Sequence, residues 1–128
     1  MKSDAFRAAA ESKDFDAADD LFATEVVFNS PFVFRPYQGL DALKILLGNV
    51  IEVLEDFRYI AHTETGDSAT LVFEAAVGDR LLQGVDVLRF GEDGKIAEMS
   101  VMIRPMSGLQ AVGEKMSERM AAAGIEPA

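Results

Sequence analysis

The chain has 128 residues, 49% hydrophobic and 27% charged, the balance of one soluble folded domain rather than of a disordered segment. Twelve Lys and Arg against 22 Asp and Glu leave a net charge of −10, which repels phosphate backbones and anionic membrane surfaces and argues against nucleic-acid and membrane partners. Cysteine is absent and His62 is the single histidine, so disulfides, thiol nucleophiles, zinc–cysteine sites and histidine clusters have no material, and no metal or redox cofactor is expected.

The first 25 residues predict two helices. Asp4 is placed to cap one with Phe6, Ala9 and Ala10 on a single face, and Asp14 to cap a second with Ala17, Ala18, Leu21 and Phe22. Residues 11–25 hold six acids and one base, read as solvated helix faces with acids near helix starts. Val26 to Phe34 is β-branched and aromatic and predicts a strand, broken at Pro31, which has no N–H for an inner ladder. Arg35 to Gly39 predicts a loop. Leu40 to Leu54 predicts the clearest helix, with Leu43, Leu46, Leu47, Val50, Ile51 and Leu54 at three- and four-residue spacing.

From Phe57 the apolar period becomes two. Strands are predicted at about 57–64, 69–78, 81–90 and 95–104, separated by Gly66-Asp67, Gly78-Asp79 and the Gly91–Gly94 loop, the spacing of consecutive hairpins. After Arg104-Pro105, Ser107 and Gln110 form a capping-box pattern. Leu109, Val112, Met116 and Met120 make a helical stripe, and Gly124 ends it. The N-terminus lacks an apolar signal region, and no stretch approaches the ~18 apolar residues of a membrane span, so a cytoplasmic protein is expected. Residues 1–128 read as a single α+β domain with helices on one face of a curved antiparallel sheet.

This order resembles the nuclear transport factor 2-like, or SnoaL-like, superfamily. Phe15 to Ala23 is similar to its second helix, Ser30-Pro31 to the end of its first strand, and Gly84 to Phe90 followed by Asp93 to Ile96 to its penultimate hairpin. The resemblance spans about residues 3–104 and implies a cone-shaped sheet packed against N-terminal helices, here with an extra C-terminal helix. Ketosteroid isomerases in this superfamily use a carboxylate base, a tyrosine and a protonated aspartic acid. The matching positions are Ser30, Phe6 and Asp86, so the resemblance carries over one group of three. A serine has no base strength near neutral pH and phenylalanine donates nothing, which puts steroid isomerisation by that route in doubt.

Asp86 is the leading candidate for chemistry. In Gly84-Val85-Asp86-Val87-Leu88 it shares a face with Gly84, Leu88 and Phe90, and the resemblance turns that face into the cone. An acid among apolar neighbours has its pKa raised and can serve as a general acid or base. A solvent-facing or structural aspartate is the alternative. Phe6, Phe28, Phe32, Phe73, Leu88, Met99, Val101 and Ile103 are candidates for an apolar wall that binds a small apolar molecule, or simply for core. Ser30, beside Asn29 at the pocket mouth, and His62 are secondary catalytic candidates. If Tyr59 points inward, alternation turns His62 outward. Tyr37 is a rim candidate. Arg35 and Arg104, each held extended before a proline, can clamp a ligand carboxylate or else pair with Glu25 or Glu98 as charged strand ends. Val72, Glu74 and Ala76, with Ser100, Met102 and Leu82, are assigned to the outer sheet face, where the resemblance implies a homodimer.

Two functions follow from different classes. One is a cofactor-independent enzyme of the isomerase, cyclase or hydrolase type using Asp86. The other is a non-catalytic dimeric module that binds a ligand or protein, with a vestigial pocket.

Overall fold

A computed structural model of the chain describes residues 1–124, so residues 125–128 of the predicted domain lie outside the described residues. Helix α1 (Asp4–Ser12) buries Phe6 and Ala10 as the spacing predicts. Asp4 does not cap it. Ser3 holds the cap position, and Asp4 pairs with the terminal ammonium at 2.8 Å. The predicted second helix shrinks to one turn, α2 (Ala18–Leu21), and Asp14 accepts the Asp16 N–H in a tight turn.

Strand β1 (Phe22–Asn29) therefore begins four residues before its predicted start. Phe22 belongs with Val26 and Phe28 on the buried side of a strand, not with Leu21 on a helix. The strand stops before Ser30-Pro31, and residues 30–36 are irregular. In the predicted loop, Tyr37–Gln38 forms a short strand β2, pairing Tyr37 with Phe28 and Gln38 with Val27. Gly39 (φ 94°) then turns the chain into α3 (Leu40–Val53), which buries Leu40, Leu43, Leu47 and Ile51.

The remaining strands are β3 (Glu55–Thr65), β4 (Ser68–Val77), β5 (Arg80–Phe90) and β6 (Ile96–Arg104), an antiparallel meander. The curled, unclosed sheet runs β2-β1-β6-β5-β4-β3. It is not wholly antiparallel as predicted, because β6 returns beside β1 in the same direction and pairs with it in parallel. Helix α4 (Met106–Ala122) starts one residue before Ser107, so the predicted capping box does not form. Its cap position is Pro105, which has no N–H to satisfy. Gly108, Val112, Met116 and Met120 are its buried stripe, with Leu109 half-buried beside it. No helix among the described residues is long and apolar enough to cross a membrane.

All helices lie against one sheet face. On β4 and β5 that face carries Leu71, Phe73 and Ala75, and Leu82, Gly84, Asp86 and Leu88. Leu82 is thus an inward residue packed beneath Gly108 of α4, and its assignment to the outer face is corrected by strand parity. A bulge interrupts β3. Tyr59 pairs with Phe73 and Ala61 with Val72, so one extra residue lies between them. The bulge reverses parity and places His62, opposite Leu71, on the same inner side as Tyr59. The expectation that the two point to opposite faces is therefore wrong.

Candidate functional site

A narrow cavity of about 70 Å³ lies between the inner sheet face and helices α1, α3 and α4. At ~10–15 Å³ per water it has room for several waters or a compact ligand group. Its walls are nearly all apolar. Phe6 and Phe15 meet at 5.9 Å between ring centroids, and Phe57, Tyr59 and Phe73 form a cluster with Phe57 5.0 Å from each of the others. Leu46, Leu47, Val50 and Ile51 of α3, Met99, Val101 and Ile103 of β6, and Met116 of α4 complete the enclosure.

The polar feature at its inner end is a pair. The Tyr59 hydroxyl donates to Asp86 Oδ2 at 2.6 Å, and both residues are buried. Oδ1 has no hydrogen-bond partner among the described residues, although Asp86 borders the cavity. Burial is the larger influence on Asp86 and raises its carboxyl from 3.8 to about 7, against the lowering effect of the Tyr59 hydrogen bond. Tyr59 is pushed far above its usual range, first by burial and then by the neighbouring carboxylate. On its other side the Arg7 guanidinium stands 5.7 Å from the ring centre. Tyr59 on β3 reaches Asp86 on β5 across β4, while the Phe73 ring lies over Gly84, where a Cβ would fall 2.1 Å from it. A carboxyl titrating near 7 is present in both forms at neutral pH and can either give or take a proton.

The structure brings together Phe6, Phe28, Ser30, Phe32, Tyr37, Phe73, Asp86, Met99, Val101 and Ile103 around this cavity. The three positions carrying the ketosteroid-isomerase resemblance, Phe6, Ser30 and Asp86, all border it. Leu88 faces inward but is not among the lining residues; fully buried between Ala69 and Met99, it is core. Ser30 Oγ accepts the N–H groups of Phe32 (3.3 Å) and Val33 (3.4 Å), so it shapes the turn and has no neighbouring base. Asn29 points the other way, donating to Glu98 and Ser100.

His62 is not at the cavity. Its Nε2 lies 2.6 Å from Ser3 Oγ, and Arg7 Nη1 lies 3.4 Å from its Nδ1. Ser3 also donates to Glu64 Oε1 at 2.7 Å, and the Glu64 carboxylate takes the backbone N–H groups of Lys2 and Ser3. These bonds hold Glu64 well below the usual carboxylate range, at about 2. The cluster anchors the start of α1, and Ser3 is fully buried. Arg35 is exposed and away from the cavity. Arg104 falls on the outer face by parity and donates to Gln83 at 2.8 Å, while Glu98 is taken by Arg89 at 3.2 Å. Neither arginine is positioned to clamp a ligand in the cavity. Phe15, Phe57 and Met116 also line the cavity without having been site candidates, and Tyr59 is the polar lining residue that sequence reasoning missed. Its one signal was an aromatic with a hydroxyl in a strand whose facing direction depends on the bulge.

A sequence profile of the SnoaL-like domain matches residues 4–99. The chain is a member of the SnoaL-like family. None of the curated proteins matches it. Solved structures do. A steroid delta-isomerase from Pseudomonas aeruginosa is 38% identical, with a TM-score of 0.91 over 95% of this chain and 90% of that one. An uncharacterised bacterial protein with a cystatin-like fold from Silicibacter pomeroyi is 28% identical, with a TM-score of 0.86 over 91% and 82% of the two chains. An NTF2-like protein of unknown function from Mesorhizobium loti is 21% identical, with a TM-score of 0.72 over 81% and 88%, and shows the fold alone.

Proposed function

We propose that this SnoaL-like protein is a cofactor-independent proton-transfer enzyme for a small apolar carbonyl compound, with Asp86 as its general acid–base. The observation that carries the reading is a buried carboxyl, raised to about 7, bordering an otherwise apolar cavity with one oxygen unpartnered among the described residues. Similarity to a steroid delta-isomerase supports the reaction class. In the proposed cycle, ionised Asp86 takes a proton from the carbon beside the carbonyl, and the C–H electrons pass into an enolate. Neutralising the carboxylate weakens its hold on the Tyr59 hydroxyl, which then donates to the enolate oxygen. Asp86 returns the same proton to a carbon further along, so the double bond moves and no atom is gained or lost. Tyr59 thus supplies the donor that Phe6 cannot.

A compact β,γ-unsaturated ketone such as cyclohex-3-enone tests this, since its conjugated product absorbs in the ultraviolet. Turnover should rise with pH through about 7 as Asp86 ionises. Asp86→Asn should lose about 10²–10⁴-fold in rate. Unchanged turnover in Asp86→Asn would refute the role.

The second reading is a non-catalytic ligand-binding module. It is favoured by Ser30, whose oxygen is committed to a turn, and by the absence of a second carboxylate from the cavity wall among the described residues. Ketone binding that persists in Asp86→Asn, with no turnover in either protein, decides for it. We also infer a homodimer formed through the outer sheet face. Half-buried Val72, Val85 and Val87 and exposed Met102 support it, as no helix among the described residues covers them.

A further inference from the structure

The cavity at Asp86 adjoins a second, larger space. A groove of about 780 Å³ runs between α4, α3 and the irregular segment after β1. The two spaces share Phe32, Tyr37, Leu46 and Met116 as walls. The partition between them is therefore made of side chains. Phe32 is 40% exposed and sits in a segment outside any strand ladder, held by a 3.3 Å bond from its N–H to Ser30. Met116 is an unbranched thioether with several rotatable bonds. Turning those two side chains would join the spaces without moving a strand or helix. The Phe32 ring lies against Gly113 of α4, 3.4 Å from where a Cβ would stand, so a larger residue there would crowd the ring.

The groove's chemistry limits what can occupy it. Val33, Leu46, Met116 and Met120 give it an apolar floor, and Glu114 and Glu118 stand on its side. With a net charge of −10 behind them, those acids disfavour an anionic tail. We propose that this groove is the tail-binding site for an elongated, uncharged substrate whose single carbonyl oxygen sits at the Tyr59 hydroxyl with the neighbouring carbon at Asp86: a long-chain aliphatic ketone or enone rather than a compact one. The proposal rests on the reading of Asp86 given above and extends it. The inner cavity of about 70 Å³ takes the head, and the chain leaves between Phe32 and Met116.

Calorimetric titration of the full chain with 2-alkanones from 2-pentanone to 2-tridecanone tests it. Affinity should rise about fourfold for each methylene that enters the groove. Ser117→Trp and Gly113→Leu, which fill the groove from exposed and half-exposed positions of α4, should each flatten that length dependence. A wild-type affinity that stops rising after the shortest ketones overturns the proposal, as does an unaltered slope in both variants. If short ketones bind and Asp86→Asn weakens them while added methylenes contribute nothing, the groove proposal alone falls. If no ketone of any length binds, the reading of Asp86 falls with it.

Discussion

The Asp86 carboxyl and the Tyr59 hydroxyl are set against each other by their surroundings. Burial favours the neutral acid, and the 2.6 Å hydrogen bond favours the carboxylate. The folded-state value lies above the unfolded one, from 3.8 to about 7, so the native state holds the proton more tightly. Stability from this group is therefore full below about 3.8 and falls as pH rises toward about 7, beyond which it is flat. Three units correspond to about 4 kcal/mol. Urea unfolding from pH 4 to 8 should show the decline, and Asp86→Asn should remove it. Tyr59→Phe takes away the hydrogen bond that favours the carboxylate, so it should carry the upper end of the decline above pH 7. The same variant should displace the rising limb of turnover to higher pH. A limb that stays in place means that Tyr59 does not set the Asp86 proton affinity.

Elements with strong periodicity were readable from the sequence, and elements set by tertiary pairing were not. The α3 stripe and the meander of β3 to β6 carry their pattern in their own residues. Strand β2 exists because Tyr37 and Gln38 find β1 beside them, and the β3 bulge exists only in register with β4. For the site, alternation grouped the residues of β5 and β6 by face, and the family resemblance turned the face of Asp86 inward. Tyr59 and His62 could not be placed this way, since one extra residue reverses which side they face. Gly84 links element and site. Gly84→Ala would put a methyl 2.1 Å from Phe73 Cζ and push the ring into the cavity, which should destabilise by about 1–3 kcal/mol and weaken ketone binding. Gly48→Ala in α3 meets nothing within 4 Å and should be neutral or stabilising by about 0.5–1 kcal/mol. Matched chemical denaturation of the two variants checks the contrast. Equal effects would mean that the Phe73–Gly84 contact does not shape the wall.

At the scale of the molecule, the sheet has one face committed to the helices and, among the described residues, one without them. The outer face carries a shallow depression of about 310 Å³ bounded by Val72, Val85 and Met102, with Gln83 and Arg104 at its edge. Ion pairs flank the valines, Arg58 with Glu74 at 2.8 Å and Arg89 with Glu98 at 3.2 Å. An apolar strip framed by charge suits a two-fold partner of the same shape, because each protomer presents the same patch. Each protomer also carries −10, so association works against repulsion that added salt screens. Light scattering should give twice the chain mass for the wild type, with the dimer tightened between low and moderate salt. Met102→Glu places a carboxylate at a residue now 50% exposed, where a dimer would bury it unpaired, and should yield monomers. Met102 is not among the residues lining the Asp86 cavity, so the monomeric variant should still bind ketone. A wild type that scatters as a monomer removes the dimer, and a variant that loses ketone binding along with dimerisation would show that the cavity depends on the partner.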